Sequence, residues 1–379
     1  MLGKVRRWWS NRTHRPIWRS CLMLAGAVIG SVCGLLVVFL LFLGPISPPL
    51  VPTAVPEHFP SSFLKGISYE SWWNGEFNTP ESDQTLSQII QPLGANWIAL
   101  IVKCNQASLS TTTIDCNTKD LTATDDELAH AMQTAHKAGL KVMLKPHINL
   151  VDPNDATVGR HEINYGSDEG KWQTWFANYT QMITHYAKLA QDNGAEYFVI
   201  GTELSATTGR EADWRKLIAE IRQIYHGPLT YAALTYIEPE TLSWWDALDS
   251  IGIDAYYALT VSTTPTLAQL QLGWEPVVAA LENLSSRWKR PIILTEIGYL
   301  SIDGAARVPG YWGLDGATDV QEQADCYQAL FDVFEDKPWL QGMFWWSYST
   351  KPDQGGPNDR TYTPHNKPAE KILRLYYGR

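Results

Sequence analysis

Eight times along the chain, a short run of apolar, β-branched and aromatic residues is followed by a longer stretch with apolar positions at helical spacing. The short runs lie at 64–70 (LKGISYE), 97–104 (WIALIVKC), 141–149 (KVMLKPHIN), 196–204 (EYFVIGTEL), 228–234 (PLTYAAL), 250–257 (SIGIDAYY), 291–299 (PIILTEIGY) and 342–348 (GMFWWSY). Runs of this length and composition predict strands. The helical period predicts helices near 83–91, 125–138, 171–192, 211–225, 240–248, 275–288, 320–335 and 368–377. In HKAGLKV and QDNGAEY a glycine stands between helix and strand, the usual turn from one to the other. Near-continuous apolar strands joined by helical crossovers make a parallel sheet covered on its faces. Eight such units in one chain predict an α/β fold, a closed (β/α)8 TIM barrel. An open doubly wound sheet is the competing layout, but no Gly-rich phosphate loop follows any strand.

The first 62 residues break this pattern. Six cations, Lys4, Arg6, Arg7, Arg12, Arg15 and Arg19, precede 26 uncharged residues from Cys21 to Ile46. That run exceeds the roughly 20 residues needed to span a bilayer, and no A-x-A cleavage site follows it. It reads as an uncleaved transmembrane anchor, with secretion after signal cleavage as the alternative. By the positive-inside rule the basic end stays cytoplasmic and the rest lies outside. The expected organisation is therefore a basic cytoplasmic segment (1–20), an anchor in the membrane (21–46), a Pro-rich linker (47–62) and a catalytic domain (63–379). Five prolines make the linker stiff and extended.

Charge narrows the partners. No acidic residue precedes Glu57, so the part beyond the anchor holds 24 basic against 40 acidic residues, a net −16. Such a surface disfavours nucleic acid and anionic lipid and suits a neutral polymer. The chain has 17 Trp and 17 Tyr, more than a core needs, and flat rings match the apolar faces of sugars. Cys104 and Cys116 flank a polar loop, and a local disulfide is expected in an oxidising exterior. Cys326 reads as a buried thiol. No Cys/His metal spacing occurs, so no metal or cofactor is expected.

Two of the apolar runs carry a glutamate where the strand leaves the core: Glu203 on the fourth strand and Glu296 on the seventh. Burying an unpaired carboxylate is costly. In a (β/α)8 barrel the C-terminal strand ends form the active site. Two carboxylates facing each other there make a glycosidase pair, one protonating the leaving oxygen and the other attacking carbon or activating water. The competing explanation is that they are buried salt-bridge members. KGISYESWW on the first strand, IGTELS on the fourth and LTEIGY on the seventh, in this order, resemble glycoside hydrolase family 113 of clan A. That family contains retaining endo-β-1,4-mannanases. The resemblance spans about residues 64–377 and implies Glu203 as acid/base and Glu296 as nucleophile. The sequence departs from the wider clan at Thr202, where most members have an Asn that bonds the sugar 2-hydroxyl.

Further candidates follow from strand alternation. Trp345 and Trp346 end the eighth strand with one ring on each face. The clan resemblance puts a Trp there under the sugar, and Trp346 is the choice. Tyr256 or Tyr257, with Tyr256 preferred, can hydrogen-bond the nucleophile. Asp254 shares its face and is expected to pair with a neighbouring strand's cation. Lys145, His147 and Asn149 lie on one face of the third strand, and His147 and Asn149 reach the mouth. Lys103 and Asn105 on the second strand, and Trp72 and Trp73 after the first, are further substrate contacts. The loop VPGYWGLDG (308–316) reads as a subsite wall or a plain Ω-loop. The sequons at Asn178 and Asn283 read as chance.

Together these residues predict a monomeric, membrane-tethered glycoside hydrolase cleaving internal β-1,4 bonds of a mannan-type polysaccharide or its oligosaccharides with retention. The alternatives are a glucanase, xylanase or transglycosylase acting on another β-glycan, and a non-catalytic sugar-binding barrel.

Overall fold

The computed structural model describes residues 59–151 and 158–378. The basic segment, the expected anchor at 21–46 and the linker up to residue 58 lie outside the described residues. Among those described, no helix is long and apolar enough to cross a membrane.

All eight expected strands form: β1 Leu64–Glu70, β2 Trp97–Gln106, β3 Lys141–Leu150, β4 Tyr197–Thr202, β5 Leu229–Leu234, β6 Ile251–Asp254, β7 Ile292–Ile297 and β8 Leu340–Ser349. Each pairs in parallel with the next, and β8 closes on β1 through pairs such as Gly66 with Phe344. The contact at that seam is tight. A Cβ on Gly66 would sit 2.2 Å from the Phe344 ring, so only glycine fits.

The helices are α1 Pro80–Gln84, α2 Asp125–Lys137, α3 Glu169–Asp192, α4 Glu211–Arg222, α5 Glu238–Thr241, α6 Leu267–Trp288, α7 Val320–Phe334 and α8 Pro368–Tyr377. Thr124 and Glu127 close a capping box at the start of α2. Three helices differ from expectation. Over 83–91, α1 runs into a π-helical segment, Thr85–Ile90, and a 3-10 turn that ends at left-handed Gly94. The expected helix at 240–248 is two short turns, α5 and Trp245–Ala247, because Trp244 leaves helical geometry to stack on Trp214 of α4 at 4.9 Å. Helix α6 begins eight residues before the expected 275, at a Thr266–Gln269 capping box. It carries Pro276 in its interior, with exposed Leu272 one turn earlier, on the side where water can take the carbonyl the proline leaves.

Most of the tryptophan surplus is packing. Trp175, Trp214, Trp244, Trp245, Trp274 and Trp345 are fully buried. The barrel also claims the end of the expected linker, since Phe59 stacks on Phe63 with ring centroids 3.9 Å apart.

Candidate active site

Glu203 stands one residue past β4 and Glu296 near the end of β7. Both open onto one cavity of about 470 Å³ at the strand ends. Glu203 holds a left-handed backbone, φ 52°, a conformation that costs a non-glycine residue about 1–2 kcal/mol. Two bonds fix it there: its N–H donates to Ala232 O (2.8 Å), and the Leu204 N–H donates to the Tyr231 phenol (2.7 Å).

Each carboxylate has its own cation. Arg160, in the loop after β3, donates to Glu203 Oε2 through Nε (3.2 Å) and Nη2 (3.0 Å), and anchors itself on Ile148 O (3.1 Å). Burial disfavours its charge, but Glu203 and Glu296 outweigh this and raise its pKa. Glu296 receives Lys145 Nζ on Oε1 (2.6 Å) and the Tyr256 phenol on Oε2 (2.9 Å). Lys145 also reaches Asp254 Oδ1 (2.9 Å), so one ammonium bridges two carboxylates in the barrel lumen. Burial opposes its charge, but the two carboxylates prevail and its pKa is raised. Burial and the nearby Glu296 push the Asp254 carboxyl well above its ordinary range. Burial and Glu296 likewise push the Tyr256 phenol far up, so it stays a donor at any working pH.

His147 Nε2 lies 3.6 Å from Glu296 Oε1 and, among the described residues, has no hydrogen-bond partner. Burial and the cations Arg160, Lys145 and Lys103 hold the ring's pKa well below 6.5, so it is a neutral imidazole. Its contact with Glu296 is therefore not an ion pair. Lys103 Nζ sits 3.8 Å over the Trp72 ring. Burial lowers its pKa to about 8 against the pull of Glu70 and Glu76.

The cavity thus gathers Glu203, Glu296, Trp72, Lys103, His147, Asn149, Tyr256 and Trp346, eight of the expected residues. Others fall elsewhere. Trp345 faces outward and stacks on Tyr327 of α7 at 3.7 Å, so it is core and not a sugar contact. Trp73 is exposed and off the cavity, because Ser71 bonds both its N–H and its carbonyl in a turn that carries it away. Tyr257 is buried against Trp274, leaving Tyr256 to meet Glu296. Asp254 finds its cation across the barrel, on β3, and not on an adjacent strand. Asn105 does not line the cavity but accepts from Asn149 through its Oδ1 (3.2 Å). Thr202 is buried, its hydroxyl has no hydrogen-bond partner among the described residues, and it does not line the cavity. Cys104 and Cys116 are joined as a disulfide, and Cys326 is buried and free.

Arg160, His161, Leu234, Thr235 and Tyr236 also line the cavity, although no pattern in the sequence marks them. Gly310 and Trp312 come from the loop 308–316, which does wall the cavity. Trp312 contacts both Trp72 (6.5 Å) and Trp346 (6.3 Å) edge to face. Asp303, Asp319 and Glu322 converge beyond β7. Glu322 takes the Gly304 and Ala306 N–H groups, and Asp319 caps α7. These bonds close the loop onto the helix.

Comparison with known proteins decides the lineage. The model of Glycoside Hydrolase Family 113 matches residues 68–367. The chain belongs to glycoside hydrolase family 113. A solved β-1,4-mannanase of family 113 is 30% identical, covers 83% of this chain and 99% of its own, and has a TM-score of 0.75. The family 113 β-mannanase from Alicyclobacillus acidocaldarius, in complex with ManMIm, is 28% identical over 85% of this chain and 99% of its own, also at a TM-score of 0.75. A β-glucuronidase from Faecalibacterium prausnitzii, 13% identical at a TM-score of 0.56, covers 83% of this chain and 49% of its own and shares the fold alone. A Schizosaccharomyces pombe cell wall α-1,3-glucan synthase is 26% identical over 117 residues, which are 29% of this chain and only 5% of the synthase. As a family 113 glycoside hydrolase, the chain acts on glycosidic bonds of an oligosaccharide or polysaccharide.

Proposed function

We propose that this glycoside hydrolase is a retaining endo-β-1,4-mannanase in which Glu203 is the acid/base and Glu296 the nucleophile. The observation that carries the reading is the pair of carboxylates opening onto one cavity from β4 and β7, each with its own donors. Glu296 has Lys145 and Tyr256 on its two oxygens, which fixes its carboxylate for attack on the anomeric carbon. Glu203 delivers a proton to the departing oxygen as the glycosyl–Glu296 bond forms. As a carboxylate it then takes a proton from water, which releases the sugar. Arg160, bonded to Glu203 Oε2, suits the second step, when Glu203 is an anion. The Trp346 face supports the sugar at the cut. His147 Nε2 and Asn149 offer hydrogen bonds to hydroxyls near the anomeric carbon, a role Thr202, off the cavity, does not fill.

The test is incubation of mannan and manno-oligosaccharides with the wild-type protein, with products followed by chromatography and NMR. Internal cleavage with β-anomers appearing first supports the reading; α-anomers first would reject retention. Glu296→Ala is expected to lose more than about 10³-fold in kcat, while a loss below about tenfold would reject the nucleophile assignment. We further place the catalytic domain outside a membrane, tethered by residues 21–46. Membrane fractionation and protease accessibility of intact cells test this.

A further inference from the structure

Glu238 opens α5, is buried, and lies off the cavity. The reaction described above does not use it. Yet its carboxylate gathers three donors. Oε1 accepts from the Tyr231 phenol (2.5 Å), and Oε2 accepts from the Leu234 N–H (2.5 Å) and the Ser205 hydroxyl (2.8 Å). Tyr231 in turn accepts the N–H of Leu204, the residue after Glu203 (2.7 Å). A buried N–H that leaves the strand ladder needs a partner, and the Tyr231–Glu238 relay supplies one. Chains of buried hydrogen bonds polarise and reinforce one another.

Two further features point the same way. The left-handed backbone of Glu203 persists only where its surroundings over-determine it. Strand β4 also makes room for the relay: a Cβ on Gly201 would stand 2.8 Å from the Tyr231 ring and 2.9 Å from Trp214. Glu238 thus grips both the segment that follows Glu203 and the end of β5, where Leu234 and the next residue, Thr235, line the cavity.

We propose that Glu238, acting through Tyr231, is the positioning residue that holds Glu203 in its reactive geometry. The proposal rests on the reading of Glu203 as acid/base. Glu238→Gln keeps the volume but turns an amide N–H₂ toward a donor. Tyr231→Phe keeps the ring and removes the relay hydroxyl.

The decisive comparison is between two leaving groups. A manno-oligosaccharide needs a proton on the departing oxygen, whereas the 2,4-dinitrophenyl β-glycoside of the same oligosaccharide does not. In both variants, kcat/KM on the oligosaccharide is expected to fall about 10–100-fold, within the range general acid catalysis supplies. On the dinitrophenyl glycoside, where kcat/KM reports formation of the glycosyl-enzyme alone, the loss is expected to stay below about threefold. Equal losses on both substrates would overturn the proposal, because a general disturbance of the fold does not discriminate between leaving groups. Crystal structures of Glu238→Ala and Tyr231→Phe give a readout independent of turnover. The Glu203 backbone is expected to leave the left-handed region, or its carboxylate to leave Arg160. Unchanged Glu203 geometry in both variants would also overturn the proposal. Failure of the wild type to cleave either substrate would instead count against the mannanase reading, with the crystallographic test still standing.

Discussion

At the scale of single residues, adjacent side chains carry opposite duties. Trp346 lines the cavity, while Trp345 stacks on Tyr327 behind the strand. Trp345→Ala is expected to lower stability by about 3–5 kcal/mol, leaving activity per folded molecule largely intact. Trp346→Ala removes a buried ring as well and is expected to lower stability too, but with a fall of at least about tenfold in kcat/KM per folded molecule that Trp345→Ala does not show. Denaturant titration and steady-state kinetics on the two variants check the assignment. Tyr256 is bonded to Glu296 at 2.9 Å, so Tyr256→Phe removes one of two donors on the proposed nucleophile. A fall in kcat of about 10–100-fold with a nearly unchanged KM is expected, as for loss of a donor aimed at reacting charge. The pair Glu203 and Glu296 was legible in the sequence because a carboxylate in an apolar run is chemically conspicuous. Arg160 was not legible, since a lone arginine in a polar loop looks like any solvated cation. Only the fold brings it within 3.0 Å of Glu203.

At the scale of elements, strand alternation did what periodicity can do. It put Lys145, His147 and Asn149 on one face of β3, and His147 and Asn149 both reach the cavity. What alternation does not give is the partner across the lumen. Lys145 ties β3 to β6 and β7 through Asp254 and Glu296. Lys145→Met strands two buried carboxylates and is expected to cost about 3–5 kcal/mol at neutral pH. Part of that loss should be recovered in acid, where the stranded Asp254 takes up a proton, and melting curves at two pH values test this. The Cys104–Cys116 bond clips the loop after β2 beside Lys103 and Asn105. Replacing both cysteines by Ser should cost about 2–3 kcal/mol, read as a lower melting temperature that no longer responds to reductant. The two differences at 240–248 and before 275 have separate causes. The expected helix at 240–248 broke into two turns where Trp244 stacks on Trp214, a tertiary contact that overrides the local pattern, while the helix expected at 275 starts at Leu267 because a capping box stands ahead of a tolerated proline.

At the scale of the whole molecule, buried carboxyls set the pH response. Burial raises Glu70 and Glu238 to about 7 from an ordinary 4.5. The folded state then holds those protons more tightly than the unfolded chain, so these groups lose stability as pH rises from about 4.5 to about 7 and contribute no further change above it. Glu370 acts oppositely. Against the effect of burial, bonds from His365, Asn366 and Arg374 lower it to about 2, so its contribution is lost in acid as pH falls from about 4.5 to 2. The melting temperature is therefore expected to decline between about pH 5 and 7, and Glu70→Gln to flatten that decline in a calorimetric series.

The order of residues was enough to place the eight strands, their parallel closure and the two strand-end glutamates. Hydrophobic period, turn glycines and misplaced charge are local signals that survive without neighbours. The tertiary structure alone decided which of two adjacent rings or phenols meets the cavity, which cation serves which carboxylate, and how Glu203 is held in a left-handed turn. Those outcomes depend on contacts between residues far apart in the chain, and no local pattern encodes a distance across a barrel.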